Sequence, residues 1–264
     1  REKKTGENTV LEDFDGYSIL KVRIGNISNV SFFEKGISTV FFETHFKKAF
    51  NKYLINSQFD LILYSTPPIT LAGVVKTLKK KYNSTTYLML KDIFPQNAID
   101  IELFSAKSPI AKFFRRKERR FYRLSDKLGC MSQANADYVL RNNPDIPKDK
   151  VEILPNAIIL NPEVDRKGAK SYVRAQYNVP DGAVTFLFGG NLGKPQGIPF
   201  MIECLHAVKN RTEFFFIVCG QGSEYHLLEE YKKKENPINL CLINFLPKKE
   251  YDELASGCDV GLIF

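Results

Sequence analysis

Strand-like and helix-like segments alternate along almost the whole chain. In the first half, Ile19–Ile24 reads as an alternating strand and residues 38–54 have helical periodicity. Residues 60–64 form a short apolar strand. A helix over 69–82 follows, opened by Pro67-Pro68. The series continues with strand 85–90, basic helix 110–124, strand 127–131, helix 133–141 and strand 151–154. Residues 155–170, with Pro155, Pro162 and Gly168, read as a linker. The alternation then restarts with strand 184–188, helix 198–208, strand 214–218, helix 224–234, strand 239–243, helix 248–256 and strand 259–264. Alternation at this pitch implies parallel sheets with crossover helices. The expected fold is α/β: two Rossmann-like domains, residues 1–160 and 161–264, facing across a cleft. Ligands of such sheets bind at the carboxyl ends of the strands.

Composition narrows the functional classes. The chain has 264 residues and a net charge of +8. Residues 1–160 hold 26 Lys and Arg against 17 Asp and Glu, a net of +9, whereas residues 161–264 hold 12 against 13. An anionic membrane surface, nucleic acid or a phosphorylated substrate would be drawn to the first half. No apolar run reaches the length of a membrane span. Five cysteines without a C-x-x-C fit reduced thiols in a cytosolic protein. His45, His206 and His226 share no ligand spacing, so no metal site is expected. The chain opens at Arg1 without Met and stops inside an apparent strand. Both ends read as cut, which leaves a signal peptide on the parent chain open.

The segment 185–198, TFLFGGNLGKPQGI, carries the sharpest chemical signal. A short apolar strand breaks into a turn with Gly189, Gly190, Gly193 and Gly197, and an amphipathic helix follows. Glycines let backbone approach a ligand, and free N–H groups at a helix start favour an anion, so a phosphate or diphosphate is the natural guest. The alternative is a purely structural turn. The spacing matches neither G-x-G-x-x-G nor G-x-x-x-x-G-K-[ST]. Gly220 and Gly222 follow the next strand, and a third fingerprint glycine would fall at Tyr225, which argues against a dinucleotide cofactor. Asp92 follows strand 85–90 directly, at the place where a carboxylate reaches a ligand edge; it reads either as an acid–base group or as a turn residue. Lys91 beside it reads as a phosphate contact or a solvated cation. Ser132 and Asn135 follow strand 127–131 and either cap the next helix, the favoured role for Ser132, or face the ligand. The helix 110–124 joins Phe113 and Phe114 to Arg115, Arg116, Arg119 and Arg120, a mixture suited to an anionic bilayer interface. Its alternative is a solvated basic helix with aromatics turned to the core. No nucleic-acid motif accompanies it.

Six segments together resemble glycosyltransferase family 4: Leu88-Met-Leu-Lys-Asp92-Ile-Phe-Pro95-Gln, Cys130-Met-Ser132-Gln-Ala-Asn135, Val151-Glu-Ile-Leu-Pro155-Asn156, Gly190-Asn-Leu-Gly193, Cys219-Gly220-Gln-Gly222 and Asp259-Val-Gly-Leu262. Their order is that of the family, and the likeness is greatest to the bacterial group that builds capsule and O-antigen sugars on undecaprenyl-linked lipids. The resemblance implies the GT-B fold and a metal-independent, retaining transfer from a nucleotide-diphosphate sugar, such as a UDP- or GDP-sugar, with no further cofactor. It implies a lipid-linked acceptor and a cytoplasmic, peripheral place on the inner face of the membrane. It places the donor at Gly190, Asn191, Leu192, Gly193, Gln196, Gly220, Gly222 and, through backbone contact with the base, Leu246. It places an acceptor-side polar residue at Asp92, with Lys91, Ser132 and Asn135 as the neighbouring acceptor-side candidates read above. Many family members carry Arg and Lys where this chain has Asn191 and Gln196; the capsule group commonly shows the Asn/Gln pair. Lys194 is nearby but offset. The family also has two Glu residues beyond the last segment of this chain. A GT-B nucleotide-sugar 2-epimerase and a non-catalytic sugar-nucleotide binder are the rival readings.

Overall fold

The computed structural model describes residues 9–24, 32–66, 68–158 and 165–264, with main chain only over 32–40. Pro67 and residues 159–164 of the expected linker lie outside the described residues. The chain divides into two compact units, Arg1–Ala157 and Ile158–Phe264.

The first unit begins with a hairpin of β1 (Val10–Phe14) and β2 (Tyr17–Lys21), antiparallel with Phe14 opposite Tyr17. This corrects the strand expected over 19–24, which belongs to no parallel sheet. The signal was Asp15-Gly16, a two-residue turn with Gly16 at φ +81. Then come α1 (Phe32–Tyr53), β3 (Leu61–Thr66), α2 (Ala72–Tyr82), β4 (Thr85–Leu90), α3 (Gln96–Asp100), α4 (Pro109–Leu124), β5 (Lys127–Cys130), α5 (Gln133–Asn142) and β6 (Val151–Ile153). The short α3 had no counterpart in the sequence reading. Strands β3-β4-β5-β6 form a parallel sheet in that order. Its alternation is visible in the burial: Leu88, Leu90, Leu128 and Cys130 are buried with Phe121 and Tyr122 of α4 and Val139 of α5. Fully burying each such leucine contributes roughly 1.5–3 kcal/mol. The opposite face exposes Leu61, Leu63 and Thr85.

The second unit contains α6 (Arg166–Gln176), β7 (Val184–Asn191), α7 (Ile198–Ala207), β8 (Phe214–Gln221), α8 (Tyr225–Glu235), β9 (Leu240–Ile243), α9 (Lys248–Gly257) and β10 (Val260–Gly261). The helix α6 starts inside the stretch expected to be linker. Its signal was Asp165, whose carboxylate accepts from the Gly168 N–H at 3.0 Å and caps the first turn. Strand order is β10-β7-β8-β9, all parallel. Both faces of this sheet are clad. Phe188 and Val218 pack with Met201 and Leu205 of α7 and Leu228 of α8, whereas Leu187, Ile217 and Cys219 pack with Val173 of α6 and Leu254 of α9. Each unit is thus a four-stranded parallel sheet joined by crossover helices, the expected α/β class.

The two sheets share a device at their amino-terminal edges. Asp126, just before β5, accepts through Oδ2 from the Thr86 N–H at 2.8 Å and the Thr86 hydroxyl at 2.7 Å, while Lys79 Nζ binds Oδ1 at 2.7 Å. Asp259, just before β10, accepts from the Thr185 N–H at 2.9 Å and hydroxyl at 2.8 Å, with Lys170 on its other oxygen. Each carboxylate therefore closes two adjacent strands at the end away from the ligand edge.

Candidate functional site

In the second unit the carboxyl ends of β7 and β8 meet the loop after β9 around a pocket of about 400 Å³. Parallel register sets Gly190 opposite Gly220 and Asn191 opposite Gln221. The pocket is lined by these four, by Gly189 and Cys219, and by Asn244, Phe245, Leu246 and Tyr251. Gly189, Gly190 and Gly220 leave backbone bare in this lining, beside the seven residues that carry side chains. A Cβ on Gly220 would lie 1.8 Å from the Gly190 carbonyl oxygen, and one on Gly222 would lie 2.1 Å from the Leu192 carbonyl oxygen. These two glycines exist for the close crossing of the two turns. Gly197 sits at φ +59, a conformation that suits glycine, and starts α7 without any side-chain cap.

Of the eight donor-side residues expected, Gly190, Asn191, Gly220 and Leu246 line the pocket. Gly193, Gln196 and Gly222 belong to the turn framework. Gln196 Oε1 accepts from Asn191 Nδ2 at 3.1 Å and from the Gly193 N–H at 3.3 Å. The Asn/Gln pair therefore braces the turn across Gly193 and uses part of its hydrogen-bonding capacity internally. Leu192 is corrected: its side chain is 0% exposed within the core. Its N–H donates to Gln221 O at 2.8 Å and its carbonyl accepts from the Glu224 N–H at 2.9 Å. It holds the two turns together and offers no group to a ligand. Sequence reasoning missed Tyr251, on the first turn of α9. Its phenol lies against Gly189, where an added Cβ would sit 2.1 Å from the Tyr251 oxygen. Burial pushes both the Tyr251 phenol and the Cys219 thiol up, so both are protonated at neutral pH.

In the first unit the register sets Thr66, Leu90 and Cys130 side by side at the carboxyl ends of β3, β4 and β5. Lys91 and Asp92 follow Leu90 directly, and both are exposed. The Asp92 carbonyl accepts from the Thr66 hydroxyl at 3.0 Å, which fixes the start of the loop. Ser132 caps α5, its hydroxyl accepting from the Asn135 N–H at 3.3 Å. Capping is the role the structure gives Ser132, and the half-buried Asn135 takes part through its backbone.

The basic helix α4 divides its residues sharply. Arg116, Arg119 and Arg120 are exposed, as is Phe113 at 50%, with Lys117 Nζ 5.4 Å from the Phe113 ring centre. Two members of the expected membrane set are corrected. Phe114 is half-buried and packs edge-on against Phe94 at 4.8 Å. Arg115 turns inward: its Nη1 bonds Glu118 Oε2 at 3.1 Å, and its Nη2 bonds Gln96 Oε1 and the Tyr138 hydroxyl. Helical geometry explains both, since 114, 118 and 121 lie on the face that packs on the sheet. Glu118 is 3% exposed and also accepts from the Tyr122 hydroxyl at 3.0 Å. Burial pushes the Glu118 carboxyl up, against the opposing pull of Arg115 and Tyr122. Among the described residues no three His, Cys, Asp or Glu side chains gather to hold a metal ion. All five cysteines are free thiols. No helix among the described residues is long and apolar enough to cross a membrane.

No family model matches the chain. It is similar to a protein named as a probable glycosyltransferase, WbjE of Pseudomonas aeruginosa, at 23% identity over 209 residues, covering 77% of this chain and 50% of that one. It is also similar, at 30% identity over 89 residues, to WcaI of Escherichia coli K12, a protein named as a colanic acid biosynthesis glycosyl transferase; that match covers 34% of this chain and 21% of WcaI. Among solved structures it resembles Anabaena Alr3699/HepE in complex with UDP-glucose, with a TM-score of 0.61 at 15% identity, covering 82% of this chain and 55% of that one. The UDP-GlcNAc 2-epimerase of Neisseria meningitidis bound to UDP-GlcNAc is similar with a TM-score of 0.55 at 14% identity, covering 88% and 60%. The chain spans about half the length of WbjE and of HepE, and the structural likeness establishes the GT-B fold.

Proposed function

We propose that the protein is a retaining, metal-independent glycosyltransferase that moves a sugar from a UDP- or GDP-sugar to a lipid-linked, undecaprenyl-type saccharide in cell-surface polysaccharide synthesis. It belongs on this reading to glycosyltransferase family 4 and its capsule and O-antigen group. One observation carries the proposal: the second unit has a pocket at the carboxyl ends of β7 and β8, where Gly189, Gly190 and Gly220 leave backbone bare to a diphosphate. There Gly190, Asn191 and Gly220 hold the nucleotide diphosphate, and the Phe245–Leu246 backbone meets the base. Preorganised donors of this kind stabilise the departing diphosphate and supply most of the rate. In the first unit Asp92 orients or deprotonates the acceptor hydroxyl, with Lys91 near the acceptor phosphate. The new bond forms on the face the leaving group vacates. The exposed face of α4, with Phe113, Arg116, Arg119 and Arg120, rests on the anionic inner surface of the cytoplasmic membrane.

The 2-epimerase reading has a solved GT-B structure behind it. The similarity to two proteins named as glycosyltransferases favours transfer. The test incubates the full-length protein with a panel of UDP- and GDP-sugars and undecaprenyl-linked saccharide extract, and follows labelled sugar into lipid. Transfer with retained anomeric configuration is expected. Asp92→Asn should lower turnover by about 100-fold and leave nucleotide affinity unchanged by calorimetry. Deuterium entering the sugar at C2 without transfer would instead establish the epimerase.

A further inference from the structure

We infer that Gln96 is a positioning residue for Asp92, and that the inward-turned Arg115, with Tyr138, sets Gln96. The inference rests on the acceptor-side role proposed above for Asp92. The loop 91–95 runs without a break into α3, since the Asn97 N–H reaches Ile93 O at 3.0 Å and the Ile99 N–H reaches Pro95 O at 3.1 Å. Three anchors hold it. At its start the Thr66 hydroxyl grips the Asp92 carbonyl. In the middle the Phe94 ring packs on Phe114. At its end Gln96 Oε1 accepts from the Tyr138 hydroxyl at 2.8 Å and from Arg115 Nη2, while Gln96 Nε2 donates to Asp100 Oδ1 at 2.6 Å. Gln96 thus joins three helices at one oxygen: α3 supplies the acceptor, α4 the guanidinium and α5 the phenol.

The guanidinium is itself immobilised. Glu118, buried in the same unit, takes Arg115 on one oxygen and Tyr122 on the other. A buried ion pair is a poor device for stability, because desolvation offsets most of the attraction and an apolar pair of the same shape serves as well. It is a good device for direction, because the planar fork of arginine presents its donors at fixed angles. Here one prong of the fork faces Glu118 and the other faces the oxygen four residues beyond Asp92. A displacement of about 1 Å at a reacting group costs on the order of 100-fold in rate, so a brace of this kind has a kinetic consequence.

The experiment replaces Gln96 in the full-length protein and measures transfer with the best donor of the UDP- and GDP-sugar panel and lipid-linked saccharide extract. Gln96→Met keeps the side-chain length and removes the acceptor oxygen. It should lower kcat about 10-fold, a fraction of the full displacement cost, with donor KM and nucleotide affinity unchanged. Gln96→Glu with Asp100→Asn restores an acceptor oxygen without a like-charge neighbour and should recover most of the lost turnover. In an Asp92→Asn background, Gln96→Met should have no further effect, because the group it positions is gone. Two results would overturn the inference alone: an impaired Asp92→Asn with a fully active Gln96→Met, or a Gln96→Met that lowers the Asp92→Asn enzyme by the same factor as the parent. If Asp92→Asn itself keeps parental turnover, the role of Asp92 fails first and the positioning role falls with it.

Discussion

The two units are built alike at one edge and differently at the other. At the amino-terminal edge each sheet is closed by an aspartate that binds both polar groups of a threonine on the neighbouring strand and takes a lysine on its free oxygen. At the carboxyl edge the second unit bares backbone at Gly189, Gly190 and Gly220, whereas in the first Lys91-Asp92 and Ser132 follow the strands and offer side chains. Cladding differs as well, with both faces of the second sheet buried and Leu61 and Leu63 exposed on one face of the first. Sites made of backbone are sensitive to added atoms. Sites made of side chains are sensitive to removed ones. The comparison therefore predicts opposite mutational behaviour at the two carboxyl edges.

The largest effect is expected where the first unit buries charge. Arg115→Ala leaves the Glu118 carboxylate in the core without its cation, at a cost of about 3–5 kcal/mol, read as a fall in the denaturant midpoint. The exposed neighbours are the control. Replacing Arg116, Arg119 and Arg120 together with Gln should change stability by no more than about 0.5 kcal/mol per site. The same triple variant should lose affinity for anionic vesicles by about 1 kcal/mol per charge. Equal sedimentation of parent and triple variant would remove the lipid contact and leave the ion pair standing.

Next comes Gly220→Ala in the second unit. Its methyl group falls on the Gly190 carbonyl, so the two turns must separate. Overpacking of this kind costs about 1–3 kcal/mol, and binding of UDP and GDP should vanish in calorimetry. A folded variant that binds nucleotide normally would break the contrast, since it would show that the crossing of the turns is not the site.

The smallest effect tests the shared edge. Burial tends to raise the Asp259 carboxyl, and the hydrogen bonds from Lys170 and Thr185 overcome this, holding it at about 2 against an ordinary 3.8. Asp126 is lowered in the same way by Lys79 and Thr86, against the same opposing burial. A depressed carboxyl stabilises the fold above its unfolded value and loses that contribution as pH falls toward the folded one. For Asp259, after allowance for its partial exposure, the contribution is roughly 1–2 kcal/mol. Asp259→Asn should flatten the urea stability profile between pH 4 and about 2. An unchanged slope would mean that the Asp259 carboxyl titrates alike in the folded and unfolded chain.

Sequence alone fixed the parallel α/β character, because apolar runs of strand length alternate with amphipathic helices and both are local patterns. It located the glycine turns and Asp92 for the same reason: each directly follows a strand, and strand ends are where such sheets present groups to ligands. Which glycines stand in close packing was decided by tertiary structure. Gly220 and Gly222 face the backbone of a turn about 30 residues away in sequence, and no local pattern encodes that distance of approach. The hairpin over 10–21 had a legible turn, yet its apolar residues gave no sign that they stand outside the parallel sheet. Helix α4 is the clearest case. Its composition announces six aromatic and basic residues as a single surface, while the rotation of the helix against the sheet sends Phe114 and Arg115 inward to Phe94, Gln96 and Glu118. A side chain long enough to snorkel takes its direction from the partner it finds, and that partner is set only when the helices dock.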